Sequence, residues 1–193
     1  LDQERFIFYY GLPLTSKGKP QGVIELFHRS AKEISGEWKR FAETLAGQAA
    51  IALDNALMFD ELQRTNLDLT QAYDSTLEGW AKALELRDHD TEGHSQRVTS
   101  LTLQLSAKLN VPEKKLAHIR RGALLHDIGK MAIPDKILQK QGALSAEEWE
   151  IIKKHPLYAK EMLQSIQYLE EALEIPLYHH ERWDGTGYPE GLA

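Results

Sequence analysis

The 193-residue sequence contains no cysteine, which excludes both a disulfide framework and a thiolate metal site. It has no apolar run approaching the roughly 20 residues that a membrane-spanning helix requires, and its first residues carry no signal-peptide pattern. It also has no excess of basic side chains: 23 Lys and Arg stand against 29 Asp and Glu, a formal charge of −6. That balance gives no long-range attraction to phosphate backbones and argues against a nucleic-acid polymer as partner. A small anion could still be held by a local cluster of metal or basic groups. What is present, 42% hydrophobic and 27% charged residues, is the composition of a globular chain, and the lack of cysteine suits a reducing cytoplasm. Both ends are abrupt, Phe6-Ile7-Phe8-Tyr9-Tyr10 at one and Gly191-Leu192-Ala193 at the other, as in a fragment of a longer protein.

Helix breakers are scarce over one long stretch. Across residues 37–87 there is no proline, and the only glycines are Gly47 and Gly79. Apolar residues recur there at helical spacing through Phe41, Leu45, Ala49, Ala52, Ala56 and Phe59, then through Leu62, Leu69, Tyr73, Leu77, Trp80 and Leu84. This predicts one long helix or two nearly continuous ones. Its middle, residues 61–74, is too polar to stabilise a lone helix, which points to a parallel coiled coil and a homodimer, with Asn66 on the seam. Packing against the chain's own domain is the alternative. Ahead of this stretch, residues 5–10 and 22–27 read as strands joined by the turn chemistry of Lys17-Gly18-Lys19-Pro20. From about residue 72 the pattern is helical throughout. It contains an amphipathic segment at 98–109 with Leu101, Leu105 and Leu109 spaced by four, and a helix start at Pro112. A capping box at Ser145-Ala146-Glu147-Glu148 and a helix at about 159–168 complete it. The expected fold class is mainly α: a helical bundle preceded by a long helix and a small β-hairpin.

Chemistry is concentrated in the histidines. Of eight in the chain, His94, His126, His155, His179 and His180 lie in contexts that suggest ligation. His126 is followed directly by Asp127, and both come after the apolar run Ala123-Leu124-Leu125. Two polar groups at the end of a core helix are costly unless something satisfies them. A metal ion does so, and a carboxylate can bridge two ions a few Å apart. His179-His180-Glu181 forms a second adjacent set, and His155 precedes Pro156 near a helix end. Any one of these alone is more commonly a buried imidazole bonded to a carbonyl. Five imidazoles plus Asp127 exceed one tetrahedral ion with an open position and fit two. An all-nitrogen-and-oxygen donor set favours iron, manganese or zinc. His28 and His89 read as surface residues, and His118 as structural.

These residues fall into blocks that resemble a known family. His126-Asp127-Ile128-Gly129-Lys130 is similar to the central motif of the HD superfamily of metal-dependent phosphohydrolases. The run His179-His180-Glu181-Arg182-Trp183-Asp184-Gly185-Thr186-Gly187-Tyr188-Pro189 resembles the extended motif of its HD-GYP branch. Glu92-Gly93-His94-Ser95-Gln96-Arg97-Val98 and Lys154-His155-Pro156 match the intervening motifs in order. In front, Gly11-Leu12-Pro13-Leu14, Gly22-Val23-Ile24-Glu25-Leu26 and Gln48-Ala49-Ala50-Ile51-Ala52-Leu53 look like the second half of a GAF sensor domain. The organisation implied is a GAF-like part at residues 1–60, a linker helix at 37–87 and an HD-GYP domain at 72–193 that ends before the family pattern does. That pattern continues into helices supplying another metal-binding aspartate, so the fragment could be impaired.

The resemblance implies a bacterial phosphodiesterase that hydrolyses cyclic di-GMP to linear pGpG or GMP. One ion would be held by His94, His126 and Asp127, and a second by Asp127, His155, His179 and His180. A third ion would take Asp90, one helical turn before His94, although such family members are expected to carry Glu there. Lys130 would contact the phosphate or assist the leaving oxygen. Arg182, Asp184, Gly185, Gly187, Tyr188 and Pro189 would form a loop that presents Tyr188 outward, bordering the substrate or docking a signalling protein. Two other readings stay open: hydrolysis of another cyclic dinucleotide or nucleotide, and a catalytically silent docking module.

Overall fold

The computed structural model describes residues 5–88 and 93–193. The chain divides into two compact units, Leu1–Leu69 and Thr70–Ala193, and one helix, α1 (Gly36–Asp88), runs from the first into the second. The long proline-free stretch is therefore a single helix.

In the first unit, β1 (Phe8–Ser16) pairs antiparallel with β2 (Lys19–His28). Lys17 and Gly18 both adopt positive φ, 50° and 76°, in the two-residue turn that matches the twist of a hairpin. The ladder starts later and runs further than the aromatic residues at 5–10 suggest, taking in Gly11-Leu12-Pro13-Leu14. A two-stranded sheet has two open edges, which tolerates Pro13. Alternation along the strands puts Tyr10, Leu12, Leu14, Ile24 and Leu26 against Ala42 and Ala46 of α1. Asp54 anchors the hairpin end, accepting from Ser16 at 3.0 Å and pairing with Lys17 at 3.0 Å.

The second unit is all helical among the described residues. The last turns of α1 are followed by α2 (His94–Lys108), α3 (Glu113–Leu124) and a 3-10 turn at Ile128–Ala132. Then come α4 (Asp135–Leu138), α5 (Ala146–Ile152), α6 (His155–Leu163), a 3-10 turn at Gln167–Ala172 and α7 (Glu174–Tyr178). Ser145 opens α5 with the expected reciprocal capping box to Glu148. The helix expected at 159–168 starts earlier, because His155-Pro156 suits a first turn, and it ends at Leu163. A core of Leu77, Ala81, Leu124, Leu125, Ile128, Ala159, Leu163 and Leu169 joins α1, α3, α6 and both 3-10 turns.

A partly buried polar network stands beside that core. The Arg121 guanidinium donates to Asp74 Oδ1 at 2.8 Å and to the Tyr168 hydroxyl, and lies 4.0 Å over the Tyr168 ring. The amphipathic leucines of α2 behave differently from the sequence pattern. Leu101, Leu105 and Leu109 are exposed, and α2 instead buries Ser95, Thr99 and Ser106. The Thr99 and Ser106 hydroxyls donate to the carbonyls of Ser95 and Thr102, at 2.7 and 2.8 Å, so these polar residues are buried without an unpaired group.

Two glycines set how closely the backbone layers approach. A Cβ on Gly122 would meet the Ala172 carbonyl at 2.5 Å, and one on Gly129 would meet the His155 carbonyl at 1.8 Å and the Ala159 nitrogen at 2.6 Å. Gly129 thus lets the turn after Asp127 lie directly on the first turn of α6. Because the clash at Gly129 is with backbone, Gly129→Ala should destabilise the second unit by about 3 kcal/mol, read as a lowered urea midpoint.

Candidate metal centre

Six donor side chains converge from separate elements. His94 is the first residue of α2; His126 and Asp127 lie between α3 and the Ile128–Ala132 turn; His155 opens α6; His179 and His180 follow α7. Asp127 is shared by two sets of candidate ligand atoms, each mutually within 4.8 Å. One set is His94, His126 and Asp127, and the other is Asp127, His155, His179 and His180. Its two oxygens face different ways. Oδ2 lies 3.2 Å from His126 Nε2, while Oδ1 lies 3.3 Å from His155 Nε2 and 3.6 Å from His179 Nε2.

Backbone carbonyls orient three of the rings. The Nδ1 atoms of His126, His155 and His179 each face the carbonyl three residues earlier, those of Ala123, Ile152 and Pro176, at 2.8, 2.8 and 3.0 Å. A carbonyl only accepts, so each Nδ1 carries its hydrogen and each ring turns its Nε2 inward, where it can donate to Asp127 or offer a lone pair to a cation. His155 and His179 present their Nε2 atoms 3.1 Å apart, both facing Asp127 Oδ1. Lone pairs converging on a carboxylate fit a divalent cation, and the shared Asp127 fits two.

The electrostatics agree with that fit. Burial pushes the Asp127 carboxyl up, but hydrogen bonds from His126 and His179, and the charges of His126 and Lys130, hold it far below the usual carboxylate range. His126 is pushed down by burial, yet its bond to Asp127 raises it overall. His155, 1% exposed, is pushed down to about 4 by burial. Burial, together with His179 and His155, brings His180 to about 4. Both rings are therefore neutral and available as ligands at pH 7.

Lys130 is not a surface lysine. Its ammonium lies 2.7 Å from Asp88 and 3.0 Å from Asp127. Burial pushes it down, but the two carboxylates raise it overall and keep it charged. Tyr188 does not point outward: Gly187 packs against the backbone of Glu181 and Arg182, folding the loop back. The Tyr188 ring then stacks on His180 at 4.5 Å and 21°, and its N–H donates to the His180 carbonyl at 3.2 Å. Pro189 follows it through a cis peptide bond. Glu181 ties down the rest of the loop, accepting from the N–H groups of Glu190, Gly191 and Leu192 at 2.7, 3.2 and 2.9 Å. Gly185 has φ of 71°, Asp184 accepts from Thr186 N–H at 3.0 Å, and Arg182 reaches Asp184 at 3.5 Å. Arg182, Trp183 and Asp184 are exposed, Trp183 by 97%. Asp90 and His89 lie outside the described residues.

The donors sit in a cleft of about 440 Å³ whose wall also includes Asp88, Leu138, Trp149, Ile152 and Tyr188. Asp88 and Trp149 are additions to the set expected from sequence. The only sequence signal for Asp88 is a charged run, Arg87-Asp88-His89-Asp90, near His94; Trp149 reads in sequence as helix packing alone.

A family model described as an HD domain matches residues 80–193. Among curated proteins, the chain is 34% identical over 163 residues to "3'3'-cGAMP-specific phosphodiesterase 2" of Vibrio cholerae, covering 83% of this chain and 30% of that one. It is 44% identical over 110 residues to "Cyclic di-GMP phosphodiesterase" of Thermotoga maritima, covering 56% and 30% respectively. It is 39% identical over 120 residues to "Cyclic di-GMP phosphodiesterase response regulator RpfG" of Xanthomonas campestris, covering 61% and 32%. The chain thus spans about a third of the length of each.

His155 sets a pH dependence of the metal-free protein. Between its unfolded value near 6.5 and its folded value of about 4, the unfolded chain binds the proton and the folded chain does not. Stability therefore falls as pH drops through that window and flattens below it, by on the order of 3 kcal/mol. Urea unfolding after chelator treatment at pH 7 and pH 4.5 should show this loss, and His155→Asn should reduce it.

Proposed function

The chain belongs to the HD domain family, in its HD-GYP branch, and on that footing we propose that it carries the metal-dependent phosphodiesterase activity of a bacterial second-messenger protein, with cyclic di-GMP as substrate. The observation that carries this reading is the Asp127 carboxylate, with one oxygen turned to His126 and the other to His155 and His179. His94, His126 and Asp127 would hold one divalent ion; Asp127, His155, His179 and His180 would hold a second. Iron or manganese suits the nitrogen-and-oxygen donors, with zinc compatible. The proposal is for two ions; Asp90 is the position at which some family members would hold a third.

Bound ions would supply Lewis acidity, lowering the pKa of water and neutralising charge that builds on the phosphoryl oxygens. The chain's own groups do the rest. Lys130 stays protonated between Asp88 and Asp127, which suits it to meet a non-bridging phosphate oxygen as a fixed positive charge. The carbonyl-locked imidazoles need no reorientation during the reaction. Tyr188 stacks on His180 and limits its movement. Leu138, Trp149 and Ile152 provide an apolar wall where a base can be sheltered from water. Addition of water at phosphorus with cleavage of the P–O3′ bond gives linear pGpG, and a second hydrolysis gives GMP.

A second reading, 3'3'-cGAMP as substrate, draws on the Vibrio cholerae relative that aligns over most of this chain. The metal centre sets the reaction rather than the base.

The remaining parts of the proposal concern organisation in the bacterial cytoplasm. Residues 1–60 would be the C-terminal part of a GAF-like sensor and residues 72–193 the HD-GYP domain, joined by a linker helix at 37–87. Phe41, Leu45, Phe59, Leu62, Leu69, Tyr73 and Trp80 are exposed on α1. They follow a heptad seam that also contains Asn66, which suits a second copy of α1 in a parallel homodimer. The exposed Arg182, Trp183 and Asp184 would dock a signalling partner.

Hydrolysis is tested on the full-length protein with manganese or ferrous iron, without oxygen, against cyclic di-GMP and 3'3'-cGAMP, with products separated by chromatography. Cyclic di-GMP should be consumed, and Asp127→Ala should lower the rate at least ~100-fold. Turnover of 3'3'-cGAMP alone would favour the second reading; turnover of neither with metal bound would indicate a docking module. Leu62→Glu should convert a dimer to monomer in sedimentation at micromolar concentration.

A further inference from the structure

We propose that Glu85 and Arg87, on the last turn of α1, are positioning residues of the metal centre, Glu85 for His94 and Arg87 for Asp127. The proposal rests on the reading that the two ligand sets hold metal ions.

Glu85 supplies α2 with a cap from another helix. The opening turn of a helix has N–H groups with no partner inside it, and Gly93, at the N-cap with φ of 72°, has no side chain to offer. Glu85 Oε1 accepts from Ser95 N–H at 2.7 Å, and its Oε2 accepts from Gly93 N–H at 3.2 Å. These two N–H groups flank His94. Burial pushes the Glu85 carboxyl up, but the Ser95 and Gly93 bonds lower it overall and keep it an anion. The backbone of His94 is thereby held from both sides by one carboxylate. Among the described residues, the Glu85 carboxylate bonds to the start of α2, away from the His155, His179 and His180 set.

Arg87 acts on the other side. Its Nη1 donates to the carbonyls of Lys130 and Met131 at 3.3 and 2.7 Å, and its Nη2 donates to the Ile133 carbonyl at 2.7 Å. Nε and Nη2 also donate to Asp135 Oδ1, at 3.0 and 2.7 Å. The Lys130 and Met131 carbonyls belong to the turn that starts immediately after Asp127 and is closed by Lys130 N–H on the Asp127 carbonyl at 2.9 Å, and the Ile133 carbonyl follows its end. Gln139 returns a bond to the Arg87 carbonyl at 2.8 Å. One planar guanidinium therefore fixes the segment that aims Asp127. A lysine, with a compact ammonium in place of a five-donor fork, cannot reproduce this set.

The two residues consequently have different signatures, because His94 belongs to one ligand set and Asp127 to both. The test is manganese(II) binding to the full-length protein, by calorimetry and electron paramagnetic resonance, for wild type, Glu85→Ala, Glu85→Gln, Arg87→Lys and a His94→Ala reference. Wild type should bind two ions with the spectrum of a coupled pair. Glu85→Ala should keep one ion at near wild-type affinity and bind the other ~10- to 100-fold more weakly. Its spectrum should become that of an isolated ion, as in His94→Ala. Glu85→Gln, which retains one acceptor oxygen, should fall between wild type and Glu85→Ala. Arg87→Lys should weaken both ions together by ~10-fold or more. Two ions bound normally by Glu85→Ala, or both lost in parallel, would overturn the role of Glu85. Unequal effects on the two ions in Arg87→Lys would overturn that of Arg87. Failure of the wild-type protein to bind manganese would overturn the metal reading itself, a result distinct from variants that match a two-ion wild type.

Discussion

Burying the Asp127 carboxylate costs several kcal/mol unless its charge is met on every side, and much of the second unit can be understood as the means of meeting it. Imidazoles from three elements and the Lys130 ammonium surround it at 3.0 to 3.6 Å. Each of the three imidazoles is itself oriented by a carbonyl three residues earlier in the chain. The ring directions thus come from local backbone geometry at the ends of helices, which is rigid. A cation entering such an arrangement would find ring nitrogens already aimed, so little ordering would remain to oppose binding.

Holding an anion among helix ends requires those ends to approach closely, and glycine makes that possible. Gly129 has no room for a Cβ because the backbone of α6 lies against it, and that contact brings His155 beside Asp127. Gly187 does the same for the loop after His180, turning Tyr188 over the His180 ring. The last turn of α1 completes the enclosure. Glu85, Arg87 and Asp88 each engage a different segment: the start of α2, the turn after Asp127, and Lys130. A helix that elsewhere exposes apolar residues along its length ends in side chains that tie down the segments carrying His94, Asp127 and Lys130.

Much of this was legible in the linear sequence. The proline-free stretch, the capping box at Ser145 and the turn at Lys17-Gly18 are local features, governed by backbone propensity over a few residues, and they appear as read. The histidines and Asp127 stand out because clustered polar groups beside core segments need a physical reason. Strand limits and the bounds of α6 were less accessible, since ladder pairing and the His155-Pro156 helix start depend on neighbours distant in sequence. The apolar spacing in α2 suggested a buried face, whereas packing buried its small hydroxyl side instead.

By itself the sequence determined which residue types could ligate metal, the periodicity of the helices and the family to which the chain belongs, because each of these is carried by side-chain chemistry and short-range spacing. Only the tertiary structure decided that both oxygens of Asp127 are used in different directions, that Lys130 is clamped rather than free at the surface, and that Tyr188 turns inward. It alone drew Asp88, Glu85 and Arg87 into the site's surroundings. Those outcomes depend on where separate helix ends meet, and such meetings are set by packing among residues tens of positions apart, which no local pattern in the chain records.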